Sequence, residues 1–180
     1  MNEQYKSYMV IDVESIGLHG DGFAVAWVVM DSLFRVTDEN CLSCDPAIAA
    51  GDDEDRHWVI QNVPTLPVTH RSLSEMRRDF WNEWRKRSSS TLLIADCAWP
   101  VESNFIAACV ADFPSERKSQ GPYPLLDIPS VLFGLNRPIN DCHERLPSEL
   151  PAHHPLHDAR QSARIFSEEV AIARGWKPRG

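Results

Sequence analysis

Apolar positions along the chain change period several times, and each change marks an element. The segment SYMVIDVES, residues 7–15, is a β-branched run interrupted by Asp12 and Glu14, which reads as a buried strand carrying acid. A nearly continuous apolar run at residues 22–31 is a second strand. Leu-Phe-Arg-Val at 33–36 follows an Asp31-Ser32 break as the return strand of a hairpin. Residues 45–70 are irregular and rich in Asp, Pro and Thr, with the acidic run 51–55 read as solvated, so a long loop or lid is expected there. Ser72 and Glu75 have capping-box spacing, and Leu73, Met76, Phe80 and Trp84 then recur at helical spacing. The other faces of that helix carry Arg77, Arg78, Arg85, Lys86 and Arg87, most simply a solvated face with a dipole-favoured C-terminus, with phosphate contact as the alternative. A strand at 91–96 ends in Asp96. Pro100 then suits the first turn of a helix whose apolar face is Val101, Phe105, Cys109 and Val110 and whose start carries Glu102. A short strand at 123–128 leads into a helical turn through 132–134. The last helix opens at Pro155 with the stripe Ala159, Ala163, Phe166, Val170 and Ala173, and Gly175 stops it.

A hairpin followed by alternating helix and strand predicts an α/β fold, a five-stranded mixed sheet with helices on both faces, in one domain over residues 1–180. Sites in open α/β sheets lie beyond the carboxyl ends of strands, where Asp12, Glu14 and Asp96 converge. Successive strand side chains alternate, so Asp12 and Glu14 share a face, roughly 7 Å apart along the chain. At an effective dielectric of about 20 their repulsion is on the order of 2 kcal/mol, before either group is dehydrated. A divalent cation would remove that cost. So would an early strand end that solvates both acids, or an Arg that pairs them.

Composition narrows the classes. A 43% hydrophobic content over 180 residues is enough for a real core. There is no apolar run of membrane-spanning length, and the N-terminus lacks the basic-then-apolar layout of a signal peptide, so a soluble cytoplasmic protein without a membrane partner is expected. Five cysteines form no disulfide framework, which agrees with a reducing compartment, and Cys41-Leu42-Ser43-Cys44 is a lone CxxC. A net charge of −8 argues against a sequence-independent duplex binder and leaves room for a short or single-stranded nucleic acid bound locally with the help of metal.

Three segments carry a family resemblance. Ile11-Asp12-Val13-Glu14 resembles the first motif of the DEDDh 3′-to-5′ exonucleases of the ribonuclease H-like superfamily, which include oligoribonuclease and proofreading exonuclease subunits. In HHPLHDARQSARIF, His153 precedes Asp158 by five positions and Ala159 follows, similar to the third motif of that family. Residues 101–106 resemble the second motif, with Glu102 in place of its Asp and Val101 in place of its aromatic residue. Residues 123–127 resemble the strand between the last two motifs. The resemblance spans roughly residues 8–172.

It implies phosphodiester hydrolysis with two metal ions about 3.5–4 Å apart, one activating water and the other stabilising the leaving oxygen. Oxygen ligands favour Mg²⁺ or Mn²⁺. Asp12, Glu14 and Asp158 would be ligands, with a fourth carboxylate from Glu102, favoured by register, or Asp96, favoured by position. His153 would be the general base, its ordinary pKa of about 6.5 suiting proton removal at neutral pH. The substrate would be the 3′ end of single-stranded or short RNA or DNA, and relatives often form homodimers. Two other classes stay open. One is a catalytically weak or inactive member of the same fold that binds nucleic-acid ends or a protein, a reading that Glu102 supports. The other is a zinc module built from Cys41, Cys44 and the histidines of 153–157, whose spacing fits no common zinc pattern.

Overall fold

The computed structural model describes residues 5–139 and 143–175; the first four residues, on which the reading of the N-terminus partly rests, lie outside that description. Five strands form one sheet: β1 (Ser7–Ser15), β2 (Gly22–Asp31), β3 (Val36–Ser43), β4 (Thr91–Ala95) and β5 (Leu125–Asp127), in the order β3-β2-β1-β4-β5. The central strand β1 pairs antiparallel with β2 and parallel with β4. The expected α/β class with a mixed five-stranded sheet is therefore what the chain forms.

The two faces of β1 sort the helices. Met9, Ile11 and Val13 point into a core with Met76, Phe80, Trp81 and Trp84 of α2 (Leu73–Arg87) and with Phe105, Ile106 and Cys109 of α3 (Ser103–Asp112). Tyr8 and Val10 point the other way, into a core with Ile128 and Leu132 of α4 (Ile128–Gly134) and with Ala159, Ala163, Ile165 and Phe166 of α5 (Pro155–Ala173). The stripes read at 73–84 and 159–170 face these cores, whereas Ala173, read as the end of the second, is exposed. Ser72 caps α2 by accepting the N–H of Glu75 at 3.2 Å.

Three expectations change. The third strand is not 33–36, because that stretch is the turn. Asp31 Oδ1 accepts the N–H groups of Leu33 (2.8 Å) and Arg35 (3.0 Å), and Phe34 sits at φ +59°. The Phe34 ring lies 5.2 Å from Tyr8 and 6.0 Å from that of Phe166. The strand that follows is polar along Thr37-Asp38-Glu39-Asn40, as suits a sheet edge.

The acidic run within 45–70 is not a loop but the start of a helix, α1 (Asp53–Asn62). Asp52 accepts the N–H of Asp55 at 2.9 Å, and Asp53, Glu54 and Asp55 occupy the first turn, where the dipole favours them. Only Val59 of this helix is buried, so no apolar stripe announces it. Third, Pro100 lies in a single wide turn (Ala98–Glu102) that precedes α3, and Glu102 stands at the junction.

The basic residues of α2 are largely spoken for. Arg77 makes two 2.8 Å contacts to Asp112, and Arg87 pairs with Asp38 at 2.6 Å. They lie on the sheet face away from α5, which favours the structural reading over phosphate contact for these two.

Gly17 shows how α1 is seated. Its φ is +65°, and an added Cβ would fall 1.8 Å from Asp55 Oδ2. Gly17→Ala is expected to lower stability by about 2 kcal/mol or more, from left-handed strain plus displacement of Asp55. Urea unfolding should show a lower midpoint with an unchanged m-value. An unchanged midpoint would mean that the loop after β1 is free to move away from α1.

Candidate functional site

The period of β1 decides where its acids go. Val10 faces α5, and Asp12 and Glu14 continue the same side beyond the core, towards the first turn of α5, which carries Asp158. Asp12 stands opposite Ala26 on β2, and Ala26 and Ala159 are fully buried small residues that let α5 lie close against the sheet. Strand β4 pairs with β1 only as far as Ile11–Ala95. Past that point Glu102 reaches the unpaired edge of β1, where the N–H of Val13 and its own N–H stand beside its buried carboxylate.

The result is a concentration of like charge. Burial first, then the fields of Glu14, Glu102, Asp158 and Asp96, push the Asp12 carboxyl well above the usual carboxylate range. Burial, then Asp158 and Glu102, push Glu14 up to about 8. Glu102 is raised to about 7, chiefly by burial, with Asp96 and Asp127 adding to it and the two N–H groups opposing it. Asp96 presents surface to solvent at the rim, yet the protein packed around it dehydrates it enough to raise its carboxyl. A hydrogen bond from the Ser162 side chain opposes that shift.

Glu14, His153 and Asp158 form the tightest group: one ligand atom from each lies within 4.8 Å of the other two. His153 is held in the left-handed region (φ +59°), and its N–H donates to Asp158 Oδ2 at 3.0 Å. The five-residue offset is thus a hydrogen-bonded loop that folds back on the first turn of α5. His154 is the N-cap residue of α5 and stacks on His157 with ring centroids 4.0 Å apart, so these two imidazoles pair with each other.

Two residues of this site carry no sequence signal. Arg145 Nη1 lies 2.6 Å from Asp158 Oδ1 and 3.0 Å from the carbonyl of Glu149, yet it sits in a segment without periodicity. Trp58, in the stretch read as a loop, places its ring 5.1 Å from the His153 ring at 81°. The arginine pairs Asp158; among the described residues no ion pair reaches Asp12, Glu14, Asp96 or Glu102. Cys41 packs on the α5 side of the sheet and Cys44 on the α2 side, so the CxxC thiols diverge and the zinc reading loses its ligand set.

No protein-family model and no curated protein sequence matches the chain. Solved structures of exonuclease I do share its fold. The zinc-bound complex of E. coli exonuclease I with single-stranded DNA matches with a TM-score of 0.64 at 12% identity, over 95% of this chain and 41% of that one. The E. coli enzyme in complex with a dT13 oligonucleotide gives 0.66 at 12%, over 94% and 41%. Exonuclease I from Methylocaldum szegediense gives 0.62 at 15%, over 93% and 40%. The chain spans about two-fifths of the length of these structures. The likeness establishes the ribonuclease H-like fold. Among the described residues no helix is long and apolar enough to cross a membrane.

The raised acids set a pH dependence for the metal-free protein. A carboxyl whose pKa is higher folded than unfolded contributes stability that is complete below its unfolded pKa and is lost as pH rises through the folded one. For Glu14 that window runs from 4.5 to about 8. In chelator, the urea midpoint should fall across this window and level off above it, and Glu14→Gln should flatten the slope. A midpoint that rises over the same range would contradict the electrostatics described.

Proposed function

We propose that the chain is a divalent-metal-dependent 3′-to-5′ exonuclease that removes nucleotides from the 3′ end of single-stranded or short nucleic acid, with residues 1–180 as one exonuclease domain. The observation that carries this reading is the convergence of Glu14, His153 and Asp158 within 4.8 Å beside Asp12 and Glu102, in a fold shared with exonuclease I. The donor set fits hard cations. Several carboxylates, dehydrated and mutually repelling, are stabilised as anions only if positive charge comes between them, and oxygen donors favour Mg²⁺ or Mn²⁺.

Asp12, Glu14 and Asp158 would hold the metal, with Glu102 as the fourth carboxylate. The fields of both Asp12 and Glu14 include that of Glu102, whereas Asp96 acts on Asp12 alone of that pair and is engaged by Ser162. A pair of bound divalent cations would supply the charge that acidifies the attacking water and stabilises the leaving oxygen. His153 takes the proton of that water. Its exposed ring can pass the proton on to solvent, the Asp158 contact holds its backbone, and Trp58 packs against the ring. The water oxygen bonds to phosphorus, the bond from phosphorus to the 3′ oxygen breaks, and that oxygen takes a proton from solvent. A nucleoside 5′-monophosphate and a chain one unit shorter result.

End-labelled RNA and DNA oligonucleotides incubated with Mn²⁺ or Mg²⁺ test the proposal. Stepwise shortening from the 3′ end is expected, with Asp12→Asn inactive and His153→Ala slower by about 10² to 10⁴. Glu102→Gln should need more metal or lose turnover where Asp96→Asn does not. Oligonucleotide binding without cleavage at saturating Mn²⁺ would replace the enzyme reading with that of a nucleic-acid-end binding module. If His157→Ala were the most damaging histidine variant, the assignment of the base would be wrong by one helical turn.

A further inference from the structure

Beside the acid cluster a cavity of about 370 Å³ lies between α4 and α5, within the size range of small-molecule sites. Its apolar wall is Ile128 and Leu132 of α4 and Ile165 of α5, and its polar side is Asp96, Arg145 and Gln161. Two of these residues belong to the acid cluster as well: Asp96 adds to the field at Asp12, and Arg145 reaches Asp158 at 2.6 Å. The cavity therefore adjoins the proposed active site at Asp96 and Arg145. Glu14 and His153 group with Asp158, and neither of them lines the cavity.

Resting on the exonuclease reading, we infer that this cavity receives the base of the penultimate nucleotide, the one whose 3′ oxygen leaves. In-line displacement puts the leaving oxygen opposite the attacking water, and His153 marks the water's side, so the retained strand departs towards Asp96 and Arg145. A nucleobase has apolar faces and a polar edge. Ile128, Leu132 and Ile165 offer the sequence-tolerant apolar surface on which a base face packs. Asp96 accepts hydrogen bonds, and Gln161 is fixed by its own donation to the carbonyl of His143 at 3.1 Å. Arg145 supplies a cation beside the phosphodiester that joins the two nucleotides.

The test compares single-stranded oligonucleotides of one length carrying either a normal base or a tetrahydrofuran abasic unit at the penultimate position, with wild-type protein and Mn²⁺. Loss of that base is expected to lower kcat/KM for release of the terminal nucleotide at least tenfold. An abasic unit placed several nucleotides further 5′ should have no such effect. Leu132→Trp, or Ile165→Trp should the first fail to fold, fills the cavity and should erase the discrimination by bringing the normal substrate down to the abasic rate. Equal rates for the two substrates with wild-type protein, or discrimination that survives in a folded cavity-filled variant, would overturn the subsite while leaving the exonuclease reading in place. Absence of cleavage of every substrate would overturn both.

Discussion

Carboxylates at the end of the central strand repel one another, and the fold holds them together against that repulsion. Asp12, Glu14 and Glu102 are held where burial and the fields of neighbouring carboxylates raise all three. At an effective dielectric of about 20, each pair of such charges a few ångströms apart costs about 2–4 kcal/mol. A fold that keeps these groups together must hold them with other contacts. The sheet supplies most of that hold, because β1 is paired on both sides and its odd-numbered side chains are sealed under α2 and α3. Replacing an acid of this cluster by its amide removes repulsion and leaves those contacts in place.

The segment before α5 is fixed by a second, well-matched interaction. Glu149 is fully buried and receives Arg164 at 2.7 and 3.0 Å and the N–H of Leu146 at 2.9 Å, which hold its carboxyl below its usual range despite burial. Breaking such a pair by removing one partner leaves an uncompensated charge, so it acts as a latch. It secures residues 145–150 against α5. Arg145 at one end of that segment meets Asp158, and the left-handed His153 follows at the other. The positions of the proposed base and of the arginine therefore rest on an ion pair away from the acid cluster.

Much of this was legible in the sequence, for physical reasons that differ between elements. The alternation in Val10, Asp12 and Glu14 placed two acids on one face, and the structure puts that face against α5. The stripes of α2 and α5 were visible because those helices bury one whole side. The helix Asp53–Asn62 was not, since it buries Val59 alone and is held by its cap and by Arg56, which donates to the carbonyls of Pro46 and Ala49 at 2.9 Å. The return strand was misplaced because Phe34 is apolar in a turn, while the true strand is a polar edge. Offset counting separated His153 from His154 and His157. Nothing in the sequence marked Arg145 or Trp58, whose contacts arise from loops brought together by tertiary packing.

Proton release on metal binding reads whether these clustered carboxyls act as metal ligands. Carboxyls raised to about 7 and about 8 are partly protonated at neutral pH and must lose those protons to become ligands. Calorimetric titration of the chelator-treated protein with Mn²⁺ at pH 7, repeated in buffers of different ionisation enthalpy, reads the number of protons released. Mn²⁺ should bind with net proton release that shrinks at higher pH, and Asp12→Asn should lose that binding. Absence of Mn²⁺ binding, or binding with no proton release that persists in Asp12→Asn, would mean that the clustered acids are not a metal site.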